Sequence, residues 1–168
     1  MSAIAEAATV SLELADYAAT DAAGKINLLG GGLNAVGFVP VAGLTAAFAL
    51  VVTIFVPPEY YGEECALEII LEDDSGQVVA LPGPAPDQPQ KMRVGQAVTL
   101  EEPKFPAGTN IPRRMLPARV SVVLAFTNGL PLAIGQRYTW RVRIDHESKD
   151  QWIYRFFVPG PAPGPVIG

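Results

Sequence analysis

The chain has 168 residues, with 12 Lys and Arg against 17 Asp and Glu and a net charge of −5. Arg113-Arg114 is its only adjacent basic pair, so it lacks the clustered basic face that nucleic acid needs. The length supports one domain that buries about 70% of its unfolded surface without a disulfide or metal. The single cysteine, Cys65, excludes an internal bridge and fits synthesis in a reducing compartment.

Sixteen glycines and sixteen prolines favour many turns over long helices. The Ala-rich segment Ser2–Ala8 reads as a helical turn or a flexible arm, and residues 1–15 lack the basic start and apolar core of a secretory signal. Thr9–Tyr17 then alternates: Val10, Leu12 and Leu14 point one way and Ser11, Glu13 and Ala15 the other, as in a strand with one buried face. In the turn Thr20–Gly24, Asp21 is placed to cap backbone N–H groups and Gly24 to take a positive φ. Lys25–Leu29 is the return strand, carrying Asn27, and Gly30-Gly31-Gly32 ends it. That triple glycine has neither the GxxxxGK[ST] nor the GxGxxG spacing of a phosphate loop, and no helix follows it. It reads as a bulge or a close backbone crossing where no Cβ fits.

Val41–Val56 is almost wholly apolar but shorter than the ~20 residues a membrane-spanning helix needs. Bounded by Pro40 and Pro57, it reads as a buried strand, with Leu44–Val56 central in its sheet. Glu59–Glu63 is a polar loop carrying Tyr60 and Tyr61, and Cys65–Leu71 is a strand with Glu68 on its wet face. Asp73-Asp74-Ser75-Gly76 is a turn, without the alternate acids and twelfth-position Glu of an EF-hand loop. Gln77–Leu81 returns from it as a hairpin, and Pro82–Pro89 is an extended connector. Lys91–Leu100 reads as a strand broken at Gly95. Glu101–Pro117 is a long loop with four prolines and the Arg113-Arg114 pair, and a loop of that length in a compact domain points to surface contact. Ala118–Phe126 and Gln136–Asp145 are strands, the second amphipathic through Tyr138, Trp140, Val142 and Ile144. Trp152, Tyr154, Phe156 and Val158 alternate along the last one.

These elements predict an all-β fold: a two-layer antiparallel β-sandwich, Ig-like or jelly-roll-like, of eight or nine strands. Residues 1–8 form an N-terminal arm, 9–158 the sandwich, and 159–168 an extended Pro/Gly tail. Catalytic equipment is sparse. The only histidine, His146, lies in a turn, no GxSxG is present, and Cys65 follows Glu63 and Glu64, acids that raise a thiol pKa. Glu68, Glu72, Asp73 and Asp74 read as wet-face or turn carboxylates. The expectation is a non-enzyme without catalytic residues, metal or cofactor.

The residues Asp16-Tyr17, Asp21, Gly24-Lys25-Ile26-Asn27-Leu28-Leu29-Gly30-Gly31-Gly32 and the Pro-bounded apolar strand Pro40–Val56 resemble an uncharacterised domain family of bacterial and phage genomes. Its members share D…GK-(I/L)-N-(I/L)-L-G-G-G near the N-terminus. The likeness continues through Leu67–Gly76 and Leu124–Ile144 and covers roughly Leu14–Val158. It implies no activity. The Arg113-Arg114 loop and the tail after Val158 depart from it.

With that resemblance, the expected function is structural: a phage virion protein on the capsid exterior, made in the host cytoplasm, decorating or cementing the shell. Its partners would be the major capsid protein and its own copies, not nucleic acid or membrane. The expected contacts are Arg113, Arg114, and the tail residues Pro159, Pro161, Pro163, Pro165, Val166 and Ile167, laid in extended form along a neighbour. The tail folding back on its own domain is the alternative. A competing reading is a carbohydrate-binding module using exposed Tyr60, Tyr61, Trp140 and Trp152.

Overall fold

A computed structural model describes residues 1–85 and 87–161. A short helix, α1 (Ala3–Ala7), precedes β1 (Thr9–Thr20), β2 (Ile26–Gly31), β3 (Phe38–Val39), β4 (Leu44–Thr45) and β5 (Phe48–Val56). A 3₁₀ turn at Pro58–Tyr60 leads to β6 (Glu64–Glu72), β7 (Ala80–Leu81), β8 (Gln90–Lys91) and β9 (Arg93–Thr99). The chain then runs through β10 (Ala118–Phe126), β11 (Gln136–Ile144) and β12 (Ile153–Val158). Eight of these strands form two four-stranded antiparallel sheets, ordered β10-β5-β1-β2 and β12-β11-β6-β9. The fold is the predicted all-β sandwich.

One apolar cluster joins the sheets, because alternate residues of each strand face the same interior. Leu50, Val52 and Ile54 of β5 meet Leu67, Ile69 and Leu71 of β6 and Trp140, Val142 and Ile144 of β11 there. Aromatic contacts cross the layer: Phe126 stacks on Trp140 at 5.6 Å, and Phe48 lies 6.0 Å from Phe156. Such pairs add about 0.5–1.5 kcal/mol each to simple burial.

The N-terminal segment is a helical turn built into the body. Ser2 caps it through a bond from the Ala5 N–H to its Oγ, and Ile4 and Ala5 are buried. The Ser2 hydroxyl donates to Asp145, whose other oxygen accepts from the Ala66 N–H at 2.9 Å. The long apolar run divides at Ala46-Ala47 into β4 and β5, and β5 is central, between β10 and β1. Among the described residues, no helix is long and apolar enough to cross a membrane.

Three expectations need correction. The strand expected to break at Gly95 runs through it, because Gly95 sits in register opposite Glu68; the interruption falls at Met92, whose N–H bonds to Val79 and whose carbonyl accepts from Leu71. Gln77–Leu81 does not return as a full strand: it makes one bridge, Glu72 to Val78, before β7 pairs with β8. Glu68 and Glu72 are not wet. They project from the outer face of β6, yet each is buried, because arginines of neighbouring strands close over them. Arg93 pairs with Glu68, and Arg141 holds both Glu72 oxygens at 2.9 and 3.0 Å. A buried carboxylate survives only with such partners. On the same face, Arg137 pairs with Asp74.

The motif stretch has the geometry of a folded-back hairpin. Asp21 Oδ1 accepts from the N–H groups of Ala23 and Lys25 at 2.8 and 2.9 Å, and Gly24 takes φ +77°. Beyond Ala15 the hairpin turns over the outside of its own sheet. Ala18 and Ile26 pack on Ala49, Val51 and Val123, the outward side chains of β5 and β10. Gly30 and Gly32, at φ +64° and +81°, lie at the base of this bend. A Cβ on Gly30 would land on the Asp16 carboxylate, and one on Gly31 would lie 2.8 Å from Glu13. No Cβ fits at Gly30 or Gly31, but what crowds them is side chain and not a crossing backbone. Nor is there a bulge, because Ala15 opposes Gly31 and Tyr17 opposes Leu29, with one residue between them on each strand.

Carboxylates in this frame give an acid-labile stability. Hydrogen bonds from the Ser75 hydroxyl and the Gln77 and Ser75 N–H groups hold Asp73 below its ordinary value of 3.8. The Ser2 N–H, then the Met1 ammonium, hold Glu147 below 4.5. For a depressed pKa the stabilisation is complete above the unfolded value and disappears as pH falls through the folded one. Urea midpoints are therefore expected to fall from pH 5 toward pH 3, less steeply in Asp73→Asn and Glu147→Gln variants.

Candidate protein-contact surface

The loop of residues 101–117 has no strand or helix of its own, since its prolines withhold ladder donors. It is nevertheless tied to the body. The Tyr61 hydroxyl donates to the Leu116 carbonyl. The Arg114 N–H donates to Glu102 at 3.0 Å, and its guanidinium to the Pro58 carbonyl at 3.1 Å. Arg114 adopts φ +57°, a strained value for a non-glycine that these bonds help to maintain.

The two arginines thus have different roles. Arg114 is an anchor turned toward its own chain. Arg113, with its side chain 91% exposed and only a 3.8 Å approach to Glu102, faces outward. Around it the loop presents Phe105, Ile111, Met115 and Leu116, all partly solvated, Met115 at 64%. Two open hollows adjoin the loop, one of about 80 Å³ and one of about 390 Å³ against Tyr61, Glu102, Arg113 and Arg114; neither encloses a ligand as a small-molecule site does. Such a surface suits a flat protein partner. The four apolar residues escaped sequence reading because a loop has no periodicity to show which side chains stay outside.

Of the tail residues, Pro159 and Pro161 are exposed, and the position of a Cβ on Gly160 would lie 3.6 Å from Ile134. Pro163, Pro165, Val166 and Ile167 lie outside the described residues. Of the hairpin residues, Gly24 and Lys25 line an open cleft together with Pro103 to Pro106 of the loop and Arg119, and Asp21 does not.

The remaining reactive groups are dispersed. Cys65 is buried, and burial, then Asp145 and Glu64, push its thiol up. His146 is 74% exposed at φ +69°, with Nδ1 3.3 Å from Glu68. Among the described residues, no three His, Cys, Asp or Glu side chains converge as metal ligands would. The four aromatics expected to be exposed for sugar binding do not form a platform: Trp140 and Trp152 are buried in the core at 0% and 1% exposure, and Tyr60 and Tyr61 are half-buried against it. Compared with known proteins, the chain matches no family model and has no significant curated relative.

Proposed function

We propose that this chain is a non-enzymatic structural protein of a phage particle, made in the host cytoplasm and seated on the capsid exterior. It decorates or cements the shell by contact with the major capsid protein and with its own copies. The phage setting comes from the resemblance of the hairpin motif to a domain family of bacterial and phage genomes. The observation that carries the contact role is loop 101–117, where an outward arginine stands among exposed apolar side chains on a loop pinned from below. Pre-ordering such a loop lowers the entropy cost of association, and Arg with large apolar residues is the composition of binding hot spots.

The test is co-sedimentation with shells assembled from the major capsid protein. The full chain is expected to saturate them at a fixed stoichiometry. The Arg113→Glu, Met115→Glu double variant should bind about tenfold or more weakly, and removal of residues 159–168 should weaken it further. Shell binding unchanged in both variants would refute the contact assignment, and no binding by the full chain would refute the shell.

A further inference from the structure

We propose that β2 is a docking edge for a second copy of this chain, joining two first sheets through antiparallel β2–β2 pairing about a two-fold axis at Leu28. This goes beyond the shell assignment and does not depend on it.

The edge is unprotected. β2 is the last strand of its sheet, bonded to β1 alone, and Asn27 through Gly31 are exposed. Proteins ordinarily shield such an edge with proline, charge or a bulge. Ile26-Asn-Leu-Leu-Gly-Gly31 has none of these, and it displays Leu28 and Leu29 at 38% and 67% exposure. Tyr17, directly opposite Leu29 on β1, is 54% exposed and continues the apolar strip.

The hairpin also sets which backbone groups are available. Its closing bond runs from the Asp21 N–H to the Lys25 carbonyl at 2.8 Å. In an antiparallel ladder bonded pairs alternate, so Ala19/Asn27 and Tyr17/Leu29 exchange bonds. The N–H and C=O of Ile26 and Leu28 then point away from β1, toward whatever lies beside the edge. A copy turned about Leu28 offers those same groups in return, which makes the edge self-complementary.

Charge supports this occupant. Lys25 stands at the start of β2, while the Glu13 and Asp16 carboxylates stand at its end, beside Gly31 and Gly30. Among the described residues, none of the three has an ion-pair partner; the pairs formed lie elsewhere. In the two-fold register Lys25 is level with Gly31 of the other copy and so meets the acidic end, twice per dimer.

Sedimentation velocity on the full chain at tens of micromolar should show a species of twice the monomer mass. Leu28→Pro removes an outward N–H and none of the β1–β2 bonds, so it should leave the melting curve near wild type and yield only monomer. Lys25→Glu should weaken association about tenfold through two lost pairs and new repulsion. The K25E/E13K/D16K triple variant should restore it, a rescue that misfolding could not produce. A wild-type chain that stays monomeric to about 100 µM, or a dimer indifferent to both Leu28→Pro and Lys25→Glu, would overturn the proposal.

Discussion

Trp140→Ala is expected to remove most of the stability of the fold, about 3–5 kcal/mol of a total that for such domains is about 5–15 kcal/mol. Trp140 is fully buried at the centre of β11, and its ring stacks on Phe126 of the opposite sheet. Truncation therefore opens a cavity at the junction of the two layers, where neither backbone can move in without breaking its ladder. Trp140→Phe should cost far less. It keeps an aromatic face toward Phe126 and removes the indole Nε1, a buried donor with no hydrogen-bond partner among the described residues. The lost area and the relieved donor oppose each other, so the net change should be under about 1.5 kcal/mol. Urea unfolding followed by tryptophan fluorescence, with Trp152 as the remaining reporter, separates the two variants.

Gly129→Ala should be strongly damaging, at about 2–4 kcal/mol. Gly129 takes φ +72°, and an added Cβ would collide with the Thr45 carbonyl oxygen. That oxygen belongs to backbone in use: the Thr45 N–H bonds to the Leu130 carbonyl, and the Leu130 N–H to Thr45 Oγ1, both at 2.9 Å. Relieving the clash means separating β4 from the segment after β10. Gly30→Ala makes the instructive contrast. Its Cβ would meet only side-chain atoms of exposed Asp16; the carboxylate can swing aside, and the Asp16 Cβ at 3.1 Å needs a shift of a few tenths of an ångström. What remains is the left-handed backbone, about 1–2 kcal/mol. Thermal melts of the two variants should differ clearly, with Gly129→Ala the lower.

The strands legible in the sequence are those with one wet and one dry face. Tyr138 to Ile144 and Trp152 to Val158 alternate so cleanly that the pattern itself names their inward residues. Alternation could not show that Glu68 and Glu72 are roofed over, because their cover comes from Arg93, 25 positions away, and Arg141, 69 positions away. The same pattern that marked Trp140 and Trp152 as strand residues also placed them inside, which conflicted with their use as an exposed sugar platform. In loop 101–117 the sequence marks the adjacent arginines by charge alone. Only folding distinguishes them, since Glu102 and the Pro58 carbonyl draw Arg114 inward and leave Arg113 out. The folded-back course of the hairpin was legible only as a hint. Three consecutive glycines announce an unusual path without saying where it leads.

The order of strands in the two sheets also sets a timetable for synthesis. β5, whose side chains are apolar on both faces, waits for β10 as one neighbour, and β6 waits for β11. At about 5–20 residues per second on the ribosome, roughly 60 residues separate the end of β5 from the start of β10. The nascent chain therefore carries an unsatisfied, strongly adhesive strand for about 3–12 seconds. A slower ribosome between codons 57 and 117 is expected to lengthen that interval and to lower the soluble yield.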